Sequence, residues 1–336
     1  MTRSKAQGIR LSWFVRWGIE QKIDGYGIWC LGRSWVSHFV DDFEQKGYSR
    51  NLVTRAIMEL KRDSDVGYYD AKKIQEWLDR NQNNSKLAED IPEQLTTFQV
   101  VQKVVIPATK EKQNTYVELI ESQNKSNPTH FVSHSWSYPI WSLIEGLVMH
   151  QLNCDRSVLY TLSLDNILRK LDSIENPNYY WVDIFNKNQH IVNSEGTIVE
   201  LAESIRKPGK TVLILHPTDK WALNRVWCLF EVLNTIQLRA TLDVGLSFRF
   251  VDLIEHERIN DLNDKKEIPW NDLKRYQMLQ KLDVRTADAT VAADKEMIFK
   301  QVQESIGFEH MNDMVYNAIV ESFGVVQKGL YVERSD

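Results

Sequence analysis

Two neighbouring stretches, KTVLILHP at 210–217 and NRVWCLFEVLNTI at 224–236, decide the predicted fold of this chain. The first is a short apolar run rich in branched residues, which predicts a buried strand, and the second repeats apolar residues at helical spacing. The same succession occurs upstream, in HFVSHSW before IWSLIEGLVMHQL and in YYWVDIF before EGTIVELAESIRK. Strands that alternate with helices predict right-handed βαβ units and a parallel sheet, with a last strand near Ser247–Val251.

The rest of the chain suggests a division into three parts. Residues 1–88 carry apolar residues at helical spacing interrupted by glycines, which predicts an N-terminal helical domain. Residues 89–128 predict a linker and a helix, and residues 129–336 predict the α/β domain with helices at its C-terminal end. We expect Gly307 and Gly324 to end the last two of those helices.

Composition excludes several classes of function. The 336 residues are 43% hydrophobic and 26% charged with a net charge of −5, so nucleic acid and anionic membrane are not predicted as main partners. Three separated cysteines favour neither a disulfide framework nor a thiolate metal cluster, and a reducing cytoplasm fits them best. No apolar run has the length of a membrane span, and the polar first ten residues lack a signal-peptide core.

Polar residues cluster where the predicted strands end. In an open parallel sheet, ligands bind outside the carboxyl ends of the strands. Those ends carry Ser133, His134, Ser135 and Trp136 after the first strand and Asp183 after the second. Each set is equally compatible with capping of the next helix. His130 and His134 lie about 13 Å apart along a strand, too far for one zinc ion, and no metal site is predicted.

Glu231 stands alone as a charge in the apolar helix VWCLFEVL, residues 226–233. Helical geometry places it four residues after Trp227 on one face, roughly opposite the apolar stripe that we expect to face the core. A carboxylate among apolar neighbours has a raised pKa unless a cation pairs with it, and Arg225 or Arg239 could supply that pair. The pattern therefore leaves two interpretations open, a catalytic acid and a structural ion pair.

Together, SHSW after the first strand, Asp183 after the second and RVWCLFEV after the third resemble the Toll/interleukin receptor (TIR) domain family, in its plant and bacterial branch. The similarity covers about residues 129–251. It implies a flavodoxin-like parallel sheet. Enzymatic members of the family use a glutamate four residues after a tryptophan, on the helix that follows the third strand, and Trp227 and Glu231 match that pair.

The resemblance implies an NAD glycohydrolase of immune or stress signalling, with Glu231 catalytic, NAD as substrate and no bound cofactor. It also implies assembly into homo-oligomers through the TIR-like domain and a sensing or assembly role for residues 1–88. Two alternatives stay open: a non-enzymatic TIR-like signalling module and a nucleoside or nucleotide N-glycosidase. The candidate substrate-binding residues are Trp227, Ser133, His134, Ser135, Trp136, Asp183 and Arg225.

Overall fold

The computed structural model describes most of the chain, with several gaps. The described residues are 6–21, 43–49, 52–53, 55–56, 71–83, 95–153, 164–191, 197–216, 222–247 and 282–331. They form a mixed α/β structure built on a six-stranded, mostly parallel sheet.

The sheet has a parallel part and an antiparallel edge. Its strands are β1 (Gly8–Arg10), β2 (Lys125–Ser126), β3 (His130–Ser133), β4 (Tyr179–Trp181), β5 (Lys210–Leu215) and β6 (Thr241–Leu246), arranged in the order β2-β1-β4-β3-β5-β6. Neighbouring pairs among β3, β4, β5 and β6 are parallel, as the sequence pattern predicts, whereas β1 is antiparallel to both β2 and β4.

Helices connect the strands and cover them. They are α1 (Leu11–Glu20), α2 (Ala71–Asn81), α3 (Thr97–Val100), α4 (Ile106–Thr109), α5 (Ile140–Gln151), α6 (Leu164–Asp172), α7 (Asp183–Asn186), α8 (Thr197–Arg206), α9 (Val226–Gln237), α10 (Ala292–Ser305) and α11 (Phe308–Tyr331). A π-helical segment, Val101–Val105, joins α3 to α4. The helices predicted after the first three parallel strands are α5, α8 and α9.

Two details of the sequence prediction need comment. The predicted strand near Ser247–Val251 lies outside the described part except for Ser247, and the last strand among the described residues is Thr241–Leu246, which the sequence analysis did not predict. Its polar residues and Gly245 weaken its apolar signal. Gly307 has a φ of 76° and separates α10 from α11, as predicted, but α11 continues past Gly324 to Tyr331. A glycine inside a helix costs only about 1 kcal/mol, which packing along the rest of the helix can offset.

The strand β1 and the helix α1 lie within the range predicted as an N-terminal helical domain, yet both belong to the α/β layers. Gly8–Arg10 pairs with β2 and β4, and α1 packs on α5 and α6. A three-residue strand has no periodicity to detect, so its partners alone define it. The division of the chain into domains stays a prediction.

The helix α9 is buried on two sides, which corrects the expected orientation of Glu231. It packs against β5 and β6 on one side and against α10 and α11 on the other. Thr235, on the same helical face as Glu231, is fully buried and its hydroxyl lies 2.8 Å from that of Thr211 in β5. The face that carries Glu231 therefore meets the sheet, because the C-terminal helices cover much of the opposite side.

The helix α5 lies on the other face of the sheet, where two glycines allow close contact. A Cβ atom added at Gly245 of β6 would lie 2.7 Å from the carbonyl oxygen of Gly146 in α5 and 2.7 Å from Cδ1 of Ile214. Thr211 and Ile214 are three residues apart in one strand, so their side chains point to opposite faces. Helices α5 and α9 thus sandwich the sheet.

Substitution of Gly245 with alanine is expected to destabilise the protein by about 1–3 kcal/mol, because the added methyl group overlaps backbone atoms of α5 that cannot move alone. The midpoint of urea unfolding, followed by circular dichroism, measures this loss. Thr241→Ala, at an exposed position of the same strand, is the control and should change stability by about 0.5 kcal/mol or less. An unchanged midpoint for Gly245→Ala would show that α5 and β6 are not in close contact.

Candidate active site

Glu231 is hydrogen-bonded to the carboxyl end of the first parallel strand. The Ser133 hydroxyl, at the last position of β3, donates to Oε2 of Glu231 at 2.6 Å. Ser133 is fully buried and Glu231 is partly buried, so the carboxylate sits at the boundary of the core. The βαβ connection produces this contact, because it returns α9 along the sheet with its second turn beside the end of β3.

The surroundings of Glu231 favour its protonated form. Burial raises the pKa of its carboxyl group to about 8, assisted by the negative charge of Asp183 and opposed by the Ser133 hydrogen bond and by Lys187. Desolvation has this effect because it disfavours the charged form of an acid. At neutral pH the unliganded protein therefore carries mostly neutral Glu231.

The structural ion pair that was one interpretation of Glu231 is absent from the described residues. None of their Lys or Arg nitrogens lies within 4.0 Å of its carboxylate. Arg225, at the N-cap of α9, donates instead to the Thr290 hydroxyl at 2.6 Å. Arg239 follows the C-terminal end of α9 and lines a cavity at the amino-terminal ends of the parallel strands.

Asp183 and Trp136 form a second polar contact at the same edge. Asp183 is the first residue of α7, and its Oδ2 accepts a hydrogen bond of 2.7 Å from Nε1 of Trp136. Its side chain keeps about 20% exposure. Asp183 is close enough to Glu231 to influence the pKa of that residue. Two carboxyl groups, one in α7 and one in α9, therefore share one environment.

His134 lies in this cluster with a free nitrogen. Its side chain is 1% exposed, and Nε2 lies 4.0 Å from Oδ1 of Asp183 without a hydrogen-bond partner in the described part of the chain. Burial lowers the pKa of His134 more than Asp183 raises it, so the ring is neutral. A buried polar atom without a partner costs free energy, so this nitrogen is a candidate contact for a ligand.

Trp227 contacts two residues that the sequence analysis did not predict for the site, Asp294 and Lys187. Its Nε1 donates to Oδ2 of Asp294 in α10 at 3.0 Å, and Nζ of Lys187 lies 5.8 Å from the ring centroid. Lys187 also lowers the pKa of Glu231 by its charge. Lys187 stands four residues after Asp183 at the end of α7, and that spacing is the one sequence signal that could have identified it.

The remaining predicted site residue, Ser135, supports the local turn. Its hydroxyl accepts a hydrogen bond from the backbone N–H of Ser137 at 3.3 Å, and the residue is buried. The structure therefore brings Ser133, His134, Trp136 and Asp183 to the edge that holds Glu231, with Trp227 one helical turn away. Ser135 and Arg225 have their described hydrogen bonds elsewhere.

Comparison with protein-family models, with curated proteins and with solved structures gave no match. None of the described helices combines the length and apolar character that a membrane span requires.

Proposed function

We propose that this protein is a TIR-like NAD glycohydrolase that cleaves the bond between nicotinamide and ribose, with Glu231 as the catalytic carboxylate. The observation that carries the proposal is the placement of Glu231, which is partly buried, held by Ser133 and without a cation within 4.0 Å among the described residues. A carboxylate placed this way at the ligand edge of a parallel sheet is suited to catalysis.

The order of the parallel strands supports the finer fold assignment. Numbered along the chain, β3, β4, β5 and β6 are the first to fourth parallel strands, and they lie in the order second, first, third, fourth. Flavodoxin-like sheets share this order, and their ligands bind at the point where the order reverses, between the first and third strands. That point lies between β3 and β5, and Ser133 ends β3 there.

The chemistry explains why a glutamate is needed. When the glycosidic bond between C1′ and the pyridinium nitrogen breaks, the electron pair goes to nitrogen, nicotinamide leaves neutral and the ribose becomes oxocarbenium-like. An ionised Glu231 stabilises this positive charge on the ribose more than it stabilises the bound substrate. Water then adds to C1′ and loses a proton, which gives ADP-ribose. The cationic nicotinamide of bound NAD also favours ionisation of Glu231.

Other residues of the site fit supporting roles. Trp227 and Trp136 offer partly buried aromatic rings on which a nicotinamide or adenine ring can stack. Asp183 retains exposure and can accept hydrogen bonds from ribose hydroxyls. In this proposal the α/β domains assemble into homo-oligomers in the cytoplasm, and the part of residues 1–88 outside β1 and α1 senses a stress or immune signal.

One observation favours a second candidate, a nucleoside or nucleotide N-glycosidase. With a pKa of about 8, Glu231 is mostly protonated at neutral pH and can act as a general acid toward a leaving base. NAD needs no such proton, because nicotinamide leaves without one. The two activities therefore require opposite protonation states of the same residue.

Product analysis distinguishes the candidates. We expect purified protein without an affinity tag, incubated at high concentration with NAD, to release nicotinamide and ADP-ribose or its cyclic form, which chromatography separates. Nucleoside monophosphates incubated in parallel should remain intact. Release of free bases from the monophosphates alone would favour the second candidate, and no turnover of either substrate in a forced oligomer would contradict both.

A further inference from the structure

A second polar cluster lies on the opposite face of the sheet, toward the amino-terminal ends of the parallel strands. It consists of His130 at the start of β3, His150 in the last turn of α5 and Asp243 in β6. Nε2 of His130 lies 3.7 Å from Oδ2 of Asp243, and Nε2 of His150 lies 3.4 Å from the same oxygen. One ligand atom from each residue fits within a group whose members are all within 4.8 Å of one another.

Thr129 holds one side of the His130 ring and leaves Nε2 facing the cluster. The Thr129 hydroxyl accepts a hydrogen bond from the Tyr179 N–H at 2.8 Å, and it lies 2.9 Å from Nδ1 of His130 and 3.1 Å from the carbonyl oxygen of Tyr179, either of which can accept its proton. In the tautomer with the proton on Nδ1, Nε2 presents a lone pair to the cluster and can bind a metal ion.

The three residues present two imidazole nitrogens and one carboxylate oxygen toward one another. Nδ1 of His150 is held by the Tyr180 hydroxyl at 2.9 Å, the type of outer contact that orients metal-bound histidines.

We propose that His130, His150 and Asp243 bind one zinc ion. In a tetrahedral site with bonds of about 2.1 Å, neighbouring ligand atoms lie about 3.4 Å apart. Two of the three separations, at 3.4 and 3.7 Å, are close to this value, and the third is within 4.8 Å. Two histidines and one carboxylate are a ligand set that zinc accepts, with a fourth position left open.

The open position has space for an exogenous ligand. All three residues line a cavity of about 790 Å³, which Lys210 and Arg239 also line. Glu321 lines it as well, so charges of both signs face the open position. With only three protein ligands, we expect zinc to bind more weakly here than in four-ligand structural sites.

This zinc site does not depend on the proposed function. His130 and Ser133 stand at opposite ends of β3, about 10 Å apart along the strand, and their side chains point in opposite directions from the sheet. A bound ion would instead link β3, β6 and α5. We therefore expect zinc to stabilise the folded protein, because the unfolded chain does not hold these three residues together.

Zinc binding is tested on the full chain without a histidine tag, after treatment with a chelator. Equilibrium dialysis against micromolar zinc followed by elemental analysis should give one zinc per chain, and zinc should raise the melting temperature. Asp243→Asn and His150→Gln should each weaken binding at least about tenfold. His310→Gln, at an exposed position of α11, and Glu231→Gln are the controls and should bind zinc like the wild type.

Cobalt provides a second readout. Co²⁺ in the same site should give visible absorption bands of a tetrahedral ion with nitrogen and oxygen ligands, which are lost in Asp243→Asn. Circular dichroism shows whether the variants fold, and Asp243, with a side chain 35% exposed, is the safer substitution. The proposal is overturned if the wild type binds no zinc at tens of micromolar, or if both variants keep stoichiometric binding at unchanged affinity.

Discussion

Replacement of Glu231 with glutamine is expected to reduce NAD cleavage by about 10³-fold or more, with a small change in KM. Glutamine keeps the size of the side chain and its carbonyl oxygen can still accept the hydrogen bond from Ser133. It cannot carry the negative charge that stabilises the ribose cation in the transition state. Nicotinamide release, measured by chromatography at saturating NAD, gives kcat for the variant and the wild type.

The control for this substitution is Glu304→Gln, at an exposed position of α10, which should retain full activity. Ser133→Ala should have an intermediate effect, because it leaves the carboxylate in place but removes the group that holds it. Undiminished activity in folded Glu231→Gln would rule out the proposed mechanism. That result would exclude the non-enzymatic interpretation as well and would assign NAD cleavage to a different residue.

Local sequence patterns predicted the elements that build the site. The alternation of apolar runs and helices located β3, β4, β5 and the helices that follow them, because burial on both faces gives parallel strands continuous apolar runs. The same pattern located the carboxyl strand ends, where the structure places Ser133 and Asp183. The spacing of four residues between Trp227 and Glu231 correctly indicated a shared helical face.

The environment of Glu231 could not be predicted, because it depends on elements far along the chain. The helix α9 is covered on its outer side by α10 and α11, more than 50 residues later, and periodicity within one helix contains no information on such a cover. For this reason the prediction placed Glu231 opposite the core. The structure places it against Ser133, which precedes it by 98 residues.

The cluster of His130, His150 and Asp243 could not be predicted from local sequence either. His130 drew attention through its spacing to His134, which one zinc ion cannot bridge. Its neighbours in the structure are His150, at a helix end, and Asp243, in a strand that the sequence pattern did not predict. Only the pairing of β6 beside β5, with α5 packed across them, brings these residues together.

The pH dependence of the reaction is the second large effect that we expect. Because Glu231 must be ionised, kcat/KM for NAD should rise about tenfold per pH unit at low pH. It should level off above a pH of about 8, which is the pKa of Glu231 in the free enzyme. The midpoint for kcat should be lower, since the cationic nicotinamide stabilises the carboxylate. Ser133→Ala should move the kcat/KM midpoint upward, because the Ser133 hydrogen bond lowers the pKa of Glu231.

The ionisation of Glu231 also affects the free energy of unfolding, which can be measured without substrate. The folded protein keeps its proton on Glu231 up to a pH of about 8, whereas the unfolded chain loses it near the ordinary value of 4.5. Between these values the folded state binds more protons, so this residue makes stability fall as pH rises. The loss, up to about 4 kcal/mol at pH 8, should be absent from Glu231→Gln in urea unfolding.

The direction of the pH profile separates the two enzymatic candidates. A carboxylate that stabilises the ribose cation gives a rate that rises with pH through the ionisation of Glu231, whereas a general acid gives a rate that falls through the same midpoint. A falling profile with a midpoint near 8, together with the stability change, would assign Glu231 to protonation of a leaving base. A profile flat from pH 6 to 9 would show that Glu231 does not titrate in the reaction, which neither candidate permits.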